Sequence, residues 1–171
     1  MTDFIPPSPE ELNDKFPNFE VESFIAKGGM GAVYLGRQIS LDRPVAIKIL
    51  PPELSEDKAY LASFESEAKA LAKLNHTNLV GIFDFGQLDG MFYIIMEYVP
   101  GRSLYYTAHG QAVDELEAGI LITDICKGLA HAHEHDILHR DIKPANILID
   151  DEARPMIVDF GLAQPISDND H

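Results

Sequence analysis

Asp141, Lys143 and Asn146 fall within one short stretch, His139-Arg140-Asp141-Ile142-Lys143-Pro144-Ala145-Asn146, and the apolar run Ile147-Leu148-Ile149 follows at once. Asp159-Phe160-Gly161 comes soon after. Few arrangements suit this order. The polar clusters show no helical or strand period and belong in loops, whereas the apolar run between them is of strand length. The spacing predicts a hairpin over 146–150 and 156–158, with one polar loop before it and one after.

The rest of the chain supplies a frame for these loops. Residues 19–27, 31–39, 43–50, 80–87 and 92–97 are rich in β-branched and aromatic side chains and read as strands. Leu88-Asp89-Gly90 marks a turn between the last two. Pro51-Pro52 ends the third strand. A helix is predicted over 55–74, with Leu61, Phe64, Ala68, Leu71 and Leu74 at helical spacing, and a second over 115–135, with Leu116, Ile120, Ile125, Leu129 and Ala132 near one face. Five strands and one helix make a first lobe, residues 19–97. Residues 98–101 read as a connector, and 102–171 begin a second, mainly helical lobe. Residues 1–18 hold Pro6, Pro7, Pro9 and Pro17 and read as a loose leader, with Ser8-Pro9-Glu10-Glu11 a candidate helix start. The predicted class is α+β.

Two features within the first lobe bear on chemistry. Ile25-Ala26-Lys27-Gly28-Gly29-Met30-Gly31-Ala32-Val33 lies between two predicted strands. Glycines there let backbone amides approach an anion without a Cβ in the way, although an ordinary hairpin turn reads the same. Lys48 sits inside the apolar strand Val45-Ala46-Ile47-Lys48-Ile49-Leu50. Burying an ammonium is unfavourable without an anionic partner. Glu67 lies on the helix face that carries Leu71 and Leu74 and is the natural partner.

Composition excludes several classes. The chain has 28 acids against 13 bases and a net charge of −15. That balance disfavours nucleic acid and anionic membrane surfaces as partners. A single cysteine, Cys126, forbids an internal disulfide and suits a reducing compartment. No stretch reads as a signal peptide or a membrane span, so a cytoplasmic location is expected. His131, His133, His135 and His139 lack an acidic or thiolate set to complete a tetrahedral metal site and read as structural or solvent-facing.

Taken together, the ordered motifs resemble the protein kinases of the Hanks type. Gly28-Gly29-Met30-Gly31 with Val33-Tyr34 is similar to bacterial members, and Lys143-Pro144 after Asp141 points to the Ser/Thr branch. The resemblance runs from about Phe19 to about Gln164. It implies ATP-dependent phosphorylation of Ser or Thr hydroxyls on a protein substrate, with Mg²⁺ as cofactor. It implies further that Asp141 accepts or orients the proton of the attacking hydroxyl and that Lys143 neutralises the γ-phosphate. Lys48, held by Glu67, would meet the α- and β-phosphates, while Asn146 and Asp159 would bind Mg²⁺.

By the same resemblance, residues Ile25 to Gly31 cover the phosphates. Val33, Ala46 and Leu148 enclose the adenine. Met96 is the gatekeeper, and Glu97 to Val99 hydrogen-bond the base. Leu71, Ile82, His139 and Phe160 form a stacked spine. Two departures stand out: Ala26 occupies the first glycine position of the phosphate loop, and the activation segment with its closing Ala-Pro-Glu is absent from the 171 residues. The second departure suggests a domain truncated after Asp-Phe-Gly and leaves an alternative open, a non-catalytic nucleotide- or partner-binding remnant. It also leads to the expectation that Leu129, Ile137, Leu138, Ile147 and Leu148 lose much of their cover.

Overall fold

The computed structural model describes residues 4–28, 31–51 and 58–160. Expectations that fall on Gly29, Met30, Gly161 and the first residues of the 55–74 helix lie outside them. The chain divides into two units. The first comprises Met1–Ala68 with Ile82–Tyr98, and the second Lys69–Gly81 with Val99–His171.

The first unit is built on a five-stranded antiparallel sheet, β1 (Phe19–Gly28), β2 (Gly31–Gln38), β3 (Arg43–Ile49), β4 (Ile82–Leu88) and β5 (Met91–Glu97), ordered β1-β2-β3-β5-β4. Strand alternation gives the sheet two different faces. Tyr34, Val45, Ile47, Ile49 and Ile95 point to one and form a closed core with Phe19 and Val21. Val33, Lys48 and Ile94 are in register across the three central strands and share the opposite face with Ala46 and Met96. The β4–β5 turn has positive φ at both Asp89 (49°) and Gly90 (81°), the primed geometry that matches strand twist.

Residues 1–18 are not a loose leader over their described part. Ser8 caps α1 (Pro9–Asn13) in a reciprocal capping box with Glu11. Leu12 and Phe16 then enter the core of the sheet, where Phe16 meets Tyr93 edge-on at 4.9 Å. The Asn13 side chain brackets Val21, accepting from its N–H at 2.6 Å and donating to its carbonyl at 3.0 Å. The phenol of Tyr34 donates to the Pro7 carbonyl at 2.7 Å. Burial first, and Glu11 second, push that phenol up to about 12. The proline content misled the reading, because prolines here shape a strap whose apolar residues are buried.

α2 (Lys58–Leu71) places Phe64 against Phe92 of β5, on the sheet face that carries Lys48. The helix ends three residues before the predicted Leu74, although Leu74 remains buried in the turn that follows. In the second unit, α4 (Glu115–His133) is capped by Asp114, whose carboxylate accepts from the amides of Leu116 and Glu117. Its buried side is Ile125, Gly128 and Ala132; Leu116 and Ile120, expected on that side, are 72% and 57% exposed. Ala118 and Leu121 in the first half are half-buried and continue that side, whereas Leu116 and Ile120 lie well around the helix axis from it. A three-stranded sheet, ordered β6-β7-β8, completes this unit from β6 (Gly101–Ser103), β7 (Ile147–Asp150) and β8 (Pro155–Ile157). The predicted hairpin is β7–β8. The sequence reading missed β6 and the short helix α3 (Leu104–Thr107), each under five residues. Ile137 and Ile147 are buried rather than uncovered, whereas Leu138 is exposed.

Candidate active site

In the first unit the structure brings together much of the anticipated phosphate-facing set. The sequence dictates a tight hairpin, because Gly28 pairs directly with Gly31 and only two residues separate them. Gly31 has φ 121°, and a Cβ there would lie 2.0 Å from the Ile49 carbonyl oxygen. Its lack of a side chain is therefore demanded by β3, independently of any ligand. Among the described residues, a Cβ at Gly28 would meet nothing within 4 Å. Ile25, Ala26, Lys27 and Gly28 are exposed, and Ala26 pairs with Val33 in β2. Ala26 thus resumes the ladder just after an irregularity between Phe24 and Ala26.

Lys48 is only 6% exposed, flanked in the sheet by Val33 and Ile94. Glu67 is half-buried on α2, one turn from buried Phe64 and beside buried Ala68, and so faces the same side of the sheet as Lys48. Ala46 is buried, Met96 and Glu97 are half-buried at the end of β5, and Ile82, opposite Met96, is half-buried at the start of β4.

In the second unit the polar loops are held by a specific network. His139 is 2% exposed. Its Nε2 donates to the Val158 carbonyl at 2.8 Å, and its Nδ1 accepts from the Asp141 amide at 3.2 Å. That pairing defines a neutral imidazole. Burial lowers its pKa, against the opposing pull of the Val158 carbonyl and the charges of Asp141 and Asp159. The Phe160 ring lies 4.6 Å from the imidazole, centroid to centroid. Leu71, another of the residues expected in the spine, is buried in the same unit.

The Asp141 carboxylate accepts from Lys143 Nζ at 2.7 Å and from Asn146 Nδ2 at 3.0 Å. Lys143 is the main reason its pKa is lowered; burial opposes, and Asn146 adds to the lowering. Asn146 Nδ2 also donates to the Asp141 main-chain carbonyl at 2.9 Å, so the amide oxygen, and not the nitrogen, is the end that could meet a cation. The Val158 amide donates to the Asn146 carbonyl at 3.0 Å. Val158 therefore ties the loop of Asp141 to the loop of Asp159 by both of its main-chain groups. Arg140 (φ 65°) and Asp159 (φ 55°) occupy the left-handed region, a conformation that surrounding bonds must impose on a non-glycine residue. Val99 is buried, and Leu148 is half-buried in β7 opposite Met156.

The donor set suits a hard cation. Asn146 and Asp159 offer amide and carboxylate oxygens, and Mg²⁺ commonly uses one or two protein oxygens together with substrate phosphates. Among the described residues no group of three or more His, Cys, Asp or Glu could hold a metal by itself. Among the histidines, the His131 ring lies tilted against His76 at 5.3 Å and against His135, just past α4, at 4.8 Å, centroid to centroid. Sequence reasoning missed Asn78, a buried polar residue whose side chain bonds to β8 at Pro155. A short polar run, Asn75-His76-Thr77-Asn78, between a helix and a strand reads as a turn, so no signal marked it.

A five-stranded sheet with a buried lysine on its third strand, and a catalytic-type loop tied to an Asp-Phe-Gly loop, define the protein-kinase fold. The model of the protein kinase domain matches residues 19–171. The chain belongs to the protein kinase family. It is 43% identical over 151 residues to the serine/threonine-protein kinase PrkC of Bacillus subtilis, covering 87% of this chain and 23% of that protein. It is 36% identical over 166 residues to PknB of Mycolicibacterium smegmatis, covering 94% and 26%. Among solved structures, the Mycobacterium tuberculosis PknI kinase domain superposes with a TM-score of 0.77 at 28% identity, over 86% of this chain and 61% of that one. The chain thus spans about a quarter of the length of these curated relatives. Among the described residues no helix is long and apolar enough to cross a membrane.

Proposed function

We propose that this chain carries the nucleotide-handling and catalytic loops of a protein Ser/Thr kinase, which transfers the γ-phosphoryl group of ATP to a Ser or Thr hydroxyl of a protein. The observation that carries this reading is the Asp141 carboxylate, held by Lys143 and Asn146 within a loop that Val158 ties to Asp159. A carboxylate kept ionised by a neighbouring ammonium can orient a hydroxyl and accept its proton as the phosphorus–oxygen bond forms. Lys143, beside it, neutralises charge on the transferred group. Lys48, held by Glu67, contacts the α- and β-phosphates. In the first unit, Val33, Ala46, Met96 and the main chain of Glu97 are assigned to the adenine and Ile25 to Gly28 with Gly31 to the phosphates; in the second unit, Val99 and Leu148 are assigned to the adenine. Asn146 and Asp159 would hold Mg²⁺, which when bound neutralises phosphate charge and orients the oxygens. Most of the rate enhancement in this chemistry comes from positioning and fixed charge. The 43% and 36% identities to named Ser/Thr kinases support the choice of acceptor.

The experiment is nucleotide-dependent thermal stabilisation, read beside phosphotransfer to a Ser/Thr substrate. Mg·ATP is expected to stabilise the parent and to have no effect on Lys48→Ala or Asp159→Ala. Asp141→Asn is expected to retain binding and lose transfer. Variants that respond to Mg·ATP as the parent does would sink the assignment.

A further inference from the structure

β8 is only three residues long, yet it delivers Asp159 in a left-handed conformation two residues past its end. One edge of β8 pairs with β7. The other edge is closed by residues 78–80, which lie between α2 and β4 and belong to the second unit. Asn78 Nδ2 donates to the Pro155 carbonyl at 2.8 Å, and the Asn78 carbonyl accepts from the Ile157 amide at 2.9 Å. The Val80 amide donates to the Ile157 carbonyl at 3.0 Å, and Leu79 and Ile157 form a parallel bridge.

Asn78 is itself held from the opposite side. Its main-chain N–H donates to His76 Nδ1 at 3.1 Å, and the His76 ring lies tilted against that of His131 of α4, 5.3 Å between centroids. A Cβ added to Gly128 would stand 3.2 Å from the Asn78 Cβ and from Ile157 Cδ1, so α4 packs close beneath both. Asn78 is 5% exposed. A buried residue whose side chain bonds a strand and whose main chain bonds a loop has little freedom to move without breaking bonds.

We propose that Asn78 is a positioning residue for the metal-binding loop: by fixing both ends of β8 it sets where the Asp159 carboxylate stands. Asn78 is not among the residues assigned to nucleotide or metal. Its side-chain bond governs Pro155 and its main-chain bond governs Ile157, and the next residue, Val158, is the one tied to His139 and Asn146. Supporting groups of this kind often change metal affinity by roughly 10–100-fold when they are lost. The inference rests on the kinase reading for the role of Asp159, but the mechanical link from Asn78 to β8 stands apart from it.

The test compares the parent with Asn78→Asp, which keeps the shape and replaces the donor by an acceptor facing the Pro155 carbonyl, and with Asn78→Ala. Two quantities are read in the full chain. The first is amide hydrogen exchange, where Ile157, Val158 and Asp159 are expected to exchange at least roughly tenfold faster in both variants while α4 and the first-unit sheet stay as in the parent. The second is the Mg²⁺ concentration giving half of the ATP-dependent thermal stabilisation, expected to rise roughly tenfold while Mg²⁺-free ATP binding is unchanged. Exchange that accelerates evenly over the second unit would make Asn78 a packing residue and overturn the proposal. So would an unchanged Mg²⁺ midpoint beside a lost response in Asp159→Ala. A parent with no Mg·ATP response would overturn the kinase reading and the metal half of the proposal, while the exchange data would still decide whether Asn78 holds the strand.

Discussion

Val158 accepts a hydrogen bond from His139 Nε2 at 2.8 Å, through a ring whose other nitrogen accepts from the Asp141 amide. One neutral imidazole thus sets the distance between the base of one loop and the strand leading into the other. Losing it would leave a main-chain carbonyl and an amide without their partner in a buried place. His139→Ala is expected to destabilise the second unit by about 2–4 kcal/mol, the loss of two hydrogen bonds plus a cavity beside Phe160. Urea denaturation, followed by exchange of second-unit amides, measures it. A change below about 0.5 kcal/mol would show that Val158 is held well enough by Asn146 alone.

Acid should weaken this unit in two stages. Burial lowers the pKa of His76, with the charges of His131 and Lys127 adding to it, and burial likewise lowers that of His139. Each folded-state pKa is below the unfolded value, so the folded chain binds fewer protons. Their contribution is complete above the ordinary imidazole value of about 6.5 and is lost as pH falls from there through the lowered folded values. Asp141, lowered chiefly by Lys143, adds stability that is present above the ordinary carboxylate value of about 3.9 and is lost below it. NMR titration of the ring protons should place the His76 and His139 midpoints below about 6.5. Midpoints above that would mean the folded state gains protons, and the expected first stage would reverse.

The two glycines of the β1–β2 hairpin should respond differently to the same change. Gly31→Ala forces a side chain into the left-handed region and against the Ile49 carbonyl, and is expected to destabilise the first unit by about 2–6 kcal/mol. Gly28→Ala meets open space and should leave the melting temperature within about 2 °C, so any effect it has would be on nucleotide binding. Equal losses of stability in both would contradict the direct pairing of Gly28 with Gly31.

The strap before β1 is expected to behave as part of the sheet. Phe16→Ala should cost about 3–5 kcal/mol, as for a buried aromatic elsewhere. Asn13→Ala should cost about 1–2 kcal/mol, from the two bonds to Val21. Removal of residues 1–18 should lower the stability of the first unit by more than either substitution. A deletion that melts with the parent would restore the loose leader.

Local pattern determined a great deal of this fold. Five strands, two long helices and the β7–β8 hairpin were legible because each carries its own period or turn chemistry, as Asp89-Gly90 and the apolar run at Ile147 show. The buried lysine was legible for the same reason, since Val45, Ile47 and Ile49 alternate around it. What tertiary structure alone decided depends on partners distant in sequence. Proline-rich residues became a core strap because Leu12 and Phe16 found the open face of a sheet formed later in the chain. Leu116 and Ile120 were left exposed because they lie well around the axis of α4 from its buried side, Ile125, Gly128 and Ala132. Asn78 acquired its partner 77 residues further on, at Pro155, and no spacing in the sequence could announce that bond. The side chains required at a place are written locally, but the geometry that makes a loop deliver Asp159 left-handed is set by contacts between segments far apart in the chain.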